Sequence, residues 1–404
     1  MDNLRLKQWL MSIRDKCQLR LSQLRVRLII LSLICLLVTV GISAKKSHLQ
    51  LLAATHLSAG KNQTNYSNLP RGKISTQGSL PWLNITANQL VDGAGNPIKL
   101  RGVSLCGVGG LHPHINAPKL IQNVTNGHNG WWSTVVRIPI QPEAWQKIGE
   151  ERFFTEKLAP AIRQCVKSKV YCIVDWHVVE AWDSAKFEQG VENFWSYVAP
   201  RLKNISNILF EMANEPATPE KISRENWLKW RKKAQIWVDL IRNQAPKNII
   251  IVGSPRWSLL TAFAAKYPLQ GSNLMYTAHI YPAQTKYNSE ITFYHTGKAE
   301  NVSLEQALEY YFGIASRHVP VFITEFGWTT DYYIDVIFGT TSEWGIPVKN
   351  YLQKQPQISW TSWVYDWQCS PKMIDENQQI LGGEDYQGAT IQAWLSETQG
   401  SFKP

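Results

Sequence analysis

The chain has 404 residues, 44% hydrophobic and 18% charged, a balance that excludes a disordered protein and allows one large core. Its net charge of +11 invites a nucleic-acid reading. However, seven basic residues against two acidic ones in residues 1–27 supply +5 of it, and what remains is no phosphate-binding footprint.

The basic segment 1–27 precedes LIILSLICLLVTVGISA, residues 28–44, a run of seventeen residues without a charge that Lys45 and Lys46 close. A spanning helix needs about 17 to 25 residues and a signal-peptide core only about 7 to 15. The run therefore reads first as an uncleaved signal anchor, with a cleaved signal peptide as the alternative and a buried helix as the weakest reading. Ile42-Ser43-Ala44 makes a poor cleavage site. The basic flank should stay cytoplasmic, so the expectation is a membrane-anchored protein with an extracellular or periplasmic bulk, secreted if the segment is cleaved. Residues 45–79 are polar, with Gly and Pro and no hydrophobic period, and predict a flexible linker. Asn-x-Ser/Thr sequons begin at Asn62, Asn65, Asn84, Asn123, Asn204 and Asn301; they read as chance occurrences and matter only in a glycosylating host.

From residue 80 the chain reads as a single domain to its end. LNITANQLVDGAGNPIKL, residues 83–100, carries a Gly-Asn turn signal between alternating runs and predicts a hairpin under the sheet. Eight β-rich runs follow: IKLRGVSL, TVVRIPI, VYCIVDWH, NILFEMANEP, NIIIVGSP, LMYTAHIYP, VPVFITEFGW and ISWTSWVYDW. Between them lie stretches of helical period, such as residues 151–168 and 225–245. Alternating strands and helices pair in parallel, and eight units predict an α/β fold closed as a (β/α)8 TIM barrel. An open doubly wound sheet is the rival, but no Gly-rich phosphate loop follows the first run.

Of six cysteines, Cys17 and Cys35 fall in or before the apolar run, and Cys106, Cys165, Cys172 and Cys369 lie in the domain without zinc-like spacing. Cys106 follows the first strand and Cys369 the last, neighbours in a closed barrel. A disulfide between them and free buried thiols both remain open.

Barrel chemistry sits at the C-terminal strand ends. There the chain places Arg137, His177, Asn214 with Glu215, His279 with Tyr281, and Glu325. A lone rim histidine is more often structural, but seven polar residues at one end of their strands point to a site. Two glutamates on different strands suit glycosidic cleavage with retention, which needs an acid and a nucleophilic carboxylate about 5 Å apart. Arg137, His279 and Tyr281 would stabilise the ionised carboxylate, and Asn214 would hold a sugar hydroxyl. Glu211 lies deeper on the same strand and reads as structural. Pro216 would turn the chain away just after Glu215.

LRGVSL, VVRIPI, IVDWH, ILFEMANEP, AHIYP and ITEFGW together resemble family five of the glycoside hydrolases, the cellulase family, from about residue 80 onward. The resemblance implies a (β/α)8 barrel with Glu215 as acid/base and Glu325 as nucleophile. Arg137, His177, Asn214, His279 and Tyr281 would surround the cleaved sugar. Trp363 would be the stacking tryptophan, with Trp360 and Trp367 as close competitors. It also implies endo-β-1,4-glucanase action, with mannanase or another β-glycanase as the alternative. The expected partner is a β-linked polysaccharide, with no nucleic acid, no cofactor and no metal, and the protein is expected to be a monomer held to the membrane by its N-terminal segment.

Two readings compete. A metal-dependent hydrolase would draw on His112, His114, His177, His279 and Asp366, but it leaves the paired glutamates idle. A carbohydrate-binding protein without chemistry would usually lack one of those glutamates. Tryptophan is abundant, 18 residues in all, and Trp131, Trp132, Trp145, Trp176, Trp182, Trp257, Trp328 and Trp344 fall in or beside predicted loops. About half are expected to serve as sugar platforms along an open cleft and half as core.

Overall fold

Eight strands close into a parallel barrel: β1 (Arg101–Ser104), β2 (Val135–Ile140), β3 (Tyr171–Trp176), β4 (Ile208–Glu211), β5 (Ile250–Val252), β6 (Leu274–Ile280), β7 (Val321–Phe326) and β8 (Ser359–Ser362). Each strand pairs with the next, and Trp360 of β8 opposite Arg101 of β1 completes the ring. Every predicted run supplies one strand. The structure, a computed structural model, describes residue 74 and residues 80–109, 116–218, 223–285, 289–292, 299–331 and 335–397. The chain divides into two units, Met1–Asn68 and Leu69–Pro404, and all described residues belong to the second. The basic segment and the run 28–44 lie outside the described residues, as does the linker apart from residue 74. Among the described residues no helix is long and apolar enough to cross a membrane.

The helices that jacket the barrel form where apolar residues recur every three or four positions. The helix Arg224–Gln244 buries Trp227, Trp230, Ala234, Trp237, Val238 and Ile241 on one face, and Ser223 caps its start by accepting the Asn226 N–H. The helix Ala185–Leu202, capped by Ser184, does the same with Phe187, Val191, Phe194, Trp195, Val198 and Leu202.

The barrel interior is apolar at its base and polar at its mouth. Leu100, Val135, Tyr171, Ile173, Leu209, Ile251, Met275 and Phe322 fill the lower layers, plugged by Leu80, Leu83 and Leu90 of the preceding segment. That segment is the expected hairpin, Asn84–Thr86 against Gln89–Val91, but its tight turn is Ala87–Asn88, with Ala87 left-handed at φ 54°. The Gly95–Asn96 signal serves a second turn, held by the Asp92 carboxylate, which returns the chain to a bridge between Val91 and Pro97.

Cys106 and Cys369 are disulfide-bonded, with Cα atoms 6.1 Å apart, so the exits of β1 and β8 are tied together. A second disulfide, Cys165–Cys172, joins a helix to β3. This bond is not among the sequence expectations; its signal in the sequence is the seven-residue separation between a helix and the strand it leads into.

Candidate active site

Arg137, fully buried on β2, organises the mouth. Its Nε donates to Glu211 Oε2 at 2.6 Å, its Nη1 to Glu325 Oε1 at 2.6 Å, and its Nη2 to Asn214 Oδ1 at 2.6 Å, with Asp175 Oδ2 at 3.0 Å from Nη2. One planar guanidinium thereby fixes three acidic side chains and an amide, which suits its rigid fork of donors. Burial disfavours its charge, but Asp175, Glu211 and Glu325 outweigh that and hold it protonated far above the usual range.

His279 on β6 bridges the two glutamates. Its Nδ1 lies 2.8 Å from Glu215 Oε1 and 3.6 Å from Glu325 Oε2, and its Nε2 lies 3.0 Å from the Thr324 hydroxyl and 3.7 Å from Glu211 Oε1. Burial lowers the pKa of this ring, yet Glu325, Glu211 and Glu215 together raise it to about 10, so it is an imidazolium at neutral pH. The Tyr281 hydroxyl donates to Glu325 Oε2 at 2.8 Å. Burial alone would raise the Glu325 carboxyl, but His279 and Arg137 bring it below the usual carboxylate value. Glu211, buried beneath, accepts from Arg137 and from Thr324 Oγ1 (2.6 Å), and its carboxyl is brought down to about 2, against burial, by Arg137 and His279. It is the structural residue its depth predicted.

A register shift makes this arrangement possible. Thr277 faces Phe322 across β6 and β7, but His279 faces Glu325, so β7 carries one extra residue between those pairs. The bulge lets Thr324 and Glu325 both reach the interior network. Thr324 and Asp175 join the site without having been among the residues expected from the sequence. A period-2 reading assigns Thr324 and Glu325 to opposite faces, and Asp175 was hidden inside an apolar strand motif.

Glu215 stands four residues beyond the end of β4, where the chain forms a second short parallel pair, Glu215–Pro216 beside Val179–Glu180. The Glu215 N–H donates to the Val178 carbonyl, and the Ala217 N–H to that of Glu180. Pro216 therefore does not turn the chain away, as expected; it continues this outer ladder at a position where no N–H is needed. Asn214 is held from both sides, by Arg137 on its side chain and by Ser258 Oγ on its carbonyl at 2.9 Å. Ser258 ends three consecutive left-handed residues, Arg256, Trp257 and Ser258, with φ 58°, 54° and 59°. Such backbone costs about 1–2 kcal/mol per residue, strain of the kind found beside functional groups.

His177, just past β3, is held by Asp175 Oδ2 at 2.8 Å and lies parallel to the Trp363 ring, 5.3 Å between centroids and 5° between planes. Asp175 is fully buried; its burial and its neighbour Glu211 act against Arg137 and His177, leaving its carboxyl raised to about 6. Of the competitors to Trp363, Trp360 is core, stacked on Trp394, and Trp367 is 41% exposed. Of the eight loop tryptophans, Trp131, Trp145, Trp176, Trp182, Trp328 and Trp344 are buried; only Trp132 and Trp257 keep a partly open ring. The expected even split between platform and core is thus corrected: Trp145, Trp176 and Trp182 are buried against helices, Trp328 and Trp344 against each other, and Trp131 against Tyr365.

The metal-centre expectation divides. His112 and His114 lie outside the described residues, and His177, His279 and Asp366 form no cluster with one another. Asp366 instead accepts the N–H groups of Gln368 and Cys369. Among the described residues the groups with ligand-like spacing are Cys106, Asp366 and Cys369, whose cysteines are bonded together, and Glu215, His279 and Glu325, one ligand atom from each lying within 4.8 Å of the others.

The chain matches the model of the cellulase family, glycosyl hydrolase family 5, over residues 91–368. It is 30% identical over 269 residues to cellulase CelDZ1 of Thermoanaerobacterium sp, covering 63% of each chain. It is 26% identical over 332 residues to endoglucanase E-5 of Thermobifida fusca, covering 77% of this chain and 61% of that one. The chain thus spans about 60% of the length of these curated relatives. The β-glucanase SdGluc5_26A of Saccharophagus degradans, solved in complex with cellotetraose, has the same fold: TM-score 0.70 at 22% identity, over 84% of this chain and 100% of that one.

Proposed function

Because the chain belongs to glycosyl hydrolase family 5, the cellulase family, we propose that it is a retaining endo-β-1,4-glucanase acting on β-linked glucan polysaccharide. The observation that carries this reading is the approach of one Glu215 oxygen and one Glu325 oxygen to within 4.8 Å. Inverting enzymes need roughly 6.5–9.5 Å to fit a water between their carboxyls, whereas retaining ones keep them about 5 Å apart.

In the first half-reaction Glu325, kept ionised by His279 and Arg137, attacks the anomeric carbon. Glu215 gives its proton to the departing glycosidic oxygen, and a glycosyl ester forms on Glu325 as the C–O bond breaks. In the second, Glu215 takes a proton from water, the water oxygen attacks the same carbon, and Glu325 leaves as carboxylate. Tyr281 steers Glu325 through Oε2. Asn214, its Oδ1 taken by Arg137, turns its amide donor to the sugar, and Trp363 with His177 offers the flat face beneath it. Two carboxylates and water suffice for every step.

We propose further that this barrel works as a monomer outside the cytoplasm, tethered by residues 28–44 through the polar linker; the basic flank and apolar length of that run support it. The test is hydrolysis of carboxymethyl cellulose, mixed-linkage β-glucan, galactomannan and xylan by the full chain, with Glu215→Gln as control. Glucan cleavage lost in the control is the expected result. Cleavage of mannan alone would keep the mechanism and change the substrate, and silence on all four would overturn the reading.

A further inference from the structure

After Ser362 the chain leaves β8 and, past Trp363, crosses toward the exit of β1, where the Tyr365 N–H donates to the Ser104 carbonyl at 2.9 Å. It then makes a tight turn around Asp366. This carboxylate is 2% exposed, and its Oδ1 accepts the Gln368 N–H at 2.7 Å and the Cys369 N–H at 2.9 Å. Cys369 is bonded to Cys106, and the returning segment is pinned to the start of the arm. The Trp363 Nε1–H donates to the Ser370 carbonyl at 3.1 Å, and Gln387, fully buried, donates through Nε2 to the carbonyls of Trp363 and Pro371. Residues 363–371 are therefore a stiff arm.

In its middle, next to the Asp366 turn, stands Trp367. It is 41% exposed, the most open tryptophan among the described residues. Its indole makes no ring contact, cation contact or hydrogen bond with any described residue. The other large side chains of the arm are engaged, Trp363 against His177 and Tyr365 edge-on to Trp131. On a backbone fixed from both sides, only the two side-chain torsions of the indole have to be ordered on binding, which favours a strong contact with a flat, partly apolar ligand.

We propose that Trp367 is an outer platform for a β-glucan chain, engaging a sugar unit beyond the one at Trp363. The proposal rests on the glucanase reading above and deepens it: the site should favour long chains because a second indole, carried by the same arm four residues on, lengthens the binding track. The fit is to the apolar face of a β-linked pyranose, and the arm's rigidity supplies the orientation.

The experiment compares the full chain with Trp367→Ala, Trp367→Phe and, as a control for general surface apolarity, Ile236→Ala, which removes a 53% exposed side chain from the outer face of the helix Arg224–Gln244. kcat and KM are measured on cellohexaose and on an aryl cellobioside. The ratio of kcat/KM on the hexaose to that on the aryl glycoside should fall about tenfold in Trp367→Ala, mainly through KM, the loss of one good stacking contact. Trp367→Phe should recover part of it, and Ile236→Ala should match the parent. A second measurement titrates cellohexaose into Glu325→Gln, where indole fluorescence should shift with Trp367 present and shift less without it.

An unchanged ratio in Trp367→Ala from an active parent overturns this inference alone. So does an unchanged ratio accompanied by loss of binding to lipid vesicles or to another protein, which would make Trp367 a docking residue. A parent inactive on both substrates overturns the glucanase reading and this inference together.

Discussion

Glu325 touches three donors or cations at once, Arg137, Tyr281 and His279, and the nucleophilic role proposed for it requires all of them to be in place. Glu325→Ala is therefore expected to lower turnover by at least about a thousandfold, the scale on which removing an essential catalytic group acts, while the protein folds and still binds glucan. Turnover by a burst assay, with circular dichroism as the folding check, decides it; wild-type rates in this variant would remove the mechanism. Arg137 behaves differently because its removal strands Asp175, Glu211 and Glu325 in a dry interior. Arg137→Met should cost about 3–5 kcal/mol of stability along with the activity, and Arg137→Lys should recover little, since an ammonium cannot span acceptors fixed by a planar fork. Denaturant unfolding of both variants checks this, and a stable, active lysine variant would contradict it. The pH profile belongs to the glutamate pair as a unit. With Glu325 held below 4.5, the acid limb of kcat/KM should fall below that pH as Glu325 gains its proton. Glu215→Ala should keep far more of its kcat/KM on an aryl glycoside whose leaving group needs no acid than on cellohexaose; equal losses on both would remove Glu215 as the acid.

At the scale of the strands, the site depends on devices smaller than a strand. The bulge in β7 puts Thr324 between Glu211, His279 and Thr277, joining β4, β6 and β7 through one hydroxyl. Thr324→Val keeps the shape and removes the hydroxyl. It should cost about 1–3 kcal/mol and lower kcat, because His279 and Glu211 each lose a buried partner. Thermal unfolding and steady-state kinetics measure both effects. The same network sets the stability profile with pH. His279, raised from 6.5 to about 10, contributes stability that is complete below 6.5 and is lost as pH rises through about 10. Glu211, lowered from 4.5 to about 2, contributes stability that is present above 4.5 and is lost as pH falls through about 2. Asp175, raised from 3.8 to about 6, acts in the opposite sense to Glu211: its ionised form is disfavoured in the fold, so it subtracts stability as pH rises from about 4 to 6. Unfolding temperature should therefore drop on both flanks, and a profile that stays flat to pH 10 would contradict the buried imidazolium. None of these devices was legible beforehand. Period-2 alternation finds strands and their faces, but a bulge leaves no mark on it, and the outer ladder that carries Glu215 is two residues long. The residues of the site were nonetheless readable as a set, since five of the eight strand runs carry, toward their C-terminal ends, polar side chains that a core strand has no reason to carry.

Across the whole molecule, the eight runs and their helical spacers were legible because a closed parallel barrel repeats one pattern. The fate of individual tryptophans was not, since burial depends on which helix lies over which loop. Pairing of the cysteines was likewise left open by spacing and decided by topology: β1 and β8 are adjacent only because the sheet closes. The Cys106–Cys369 bond spans a sequence separation of 263 residues, and a crosslink over so long a loop restricts the unfolded chain more than one over a short loop does. Cys165–Cys172, with a separation of seven, constrains much less. Removing the long link, by Cys106→Ser with Cys369→Ser, should lower stability by about 2–5 kcal/mol and loosen the arm that carries Trp363, so KM for polymer should rise as well. Removing the short link should cost clearly less and leave KM alone. An oxidising compartment is needed for either bond to persist, so the pair also tests the proposed export. Thiol trapping of the chain isolated from intact cells should find both bridges closed, and external protease should release the barrel from its linker. Free thiols together with a protease-resistant barrel would put this domain on the cytoplasmic side and overturn the orientation inferred from the basic flank.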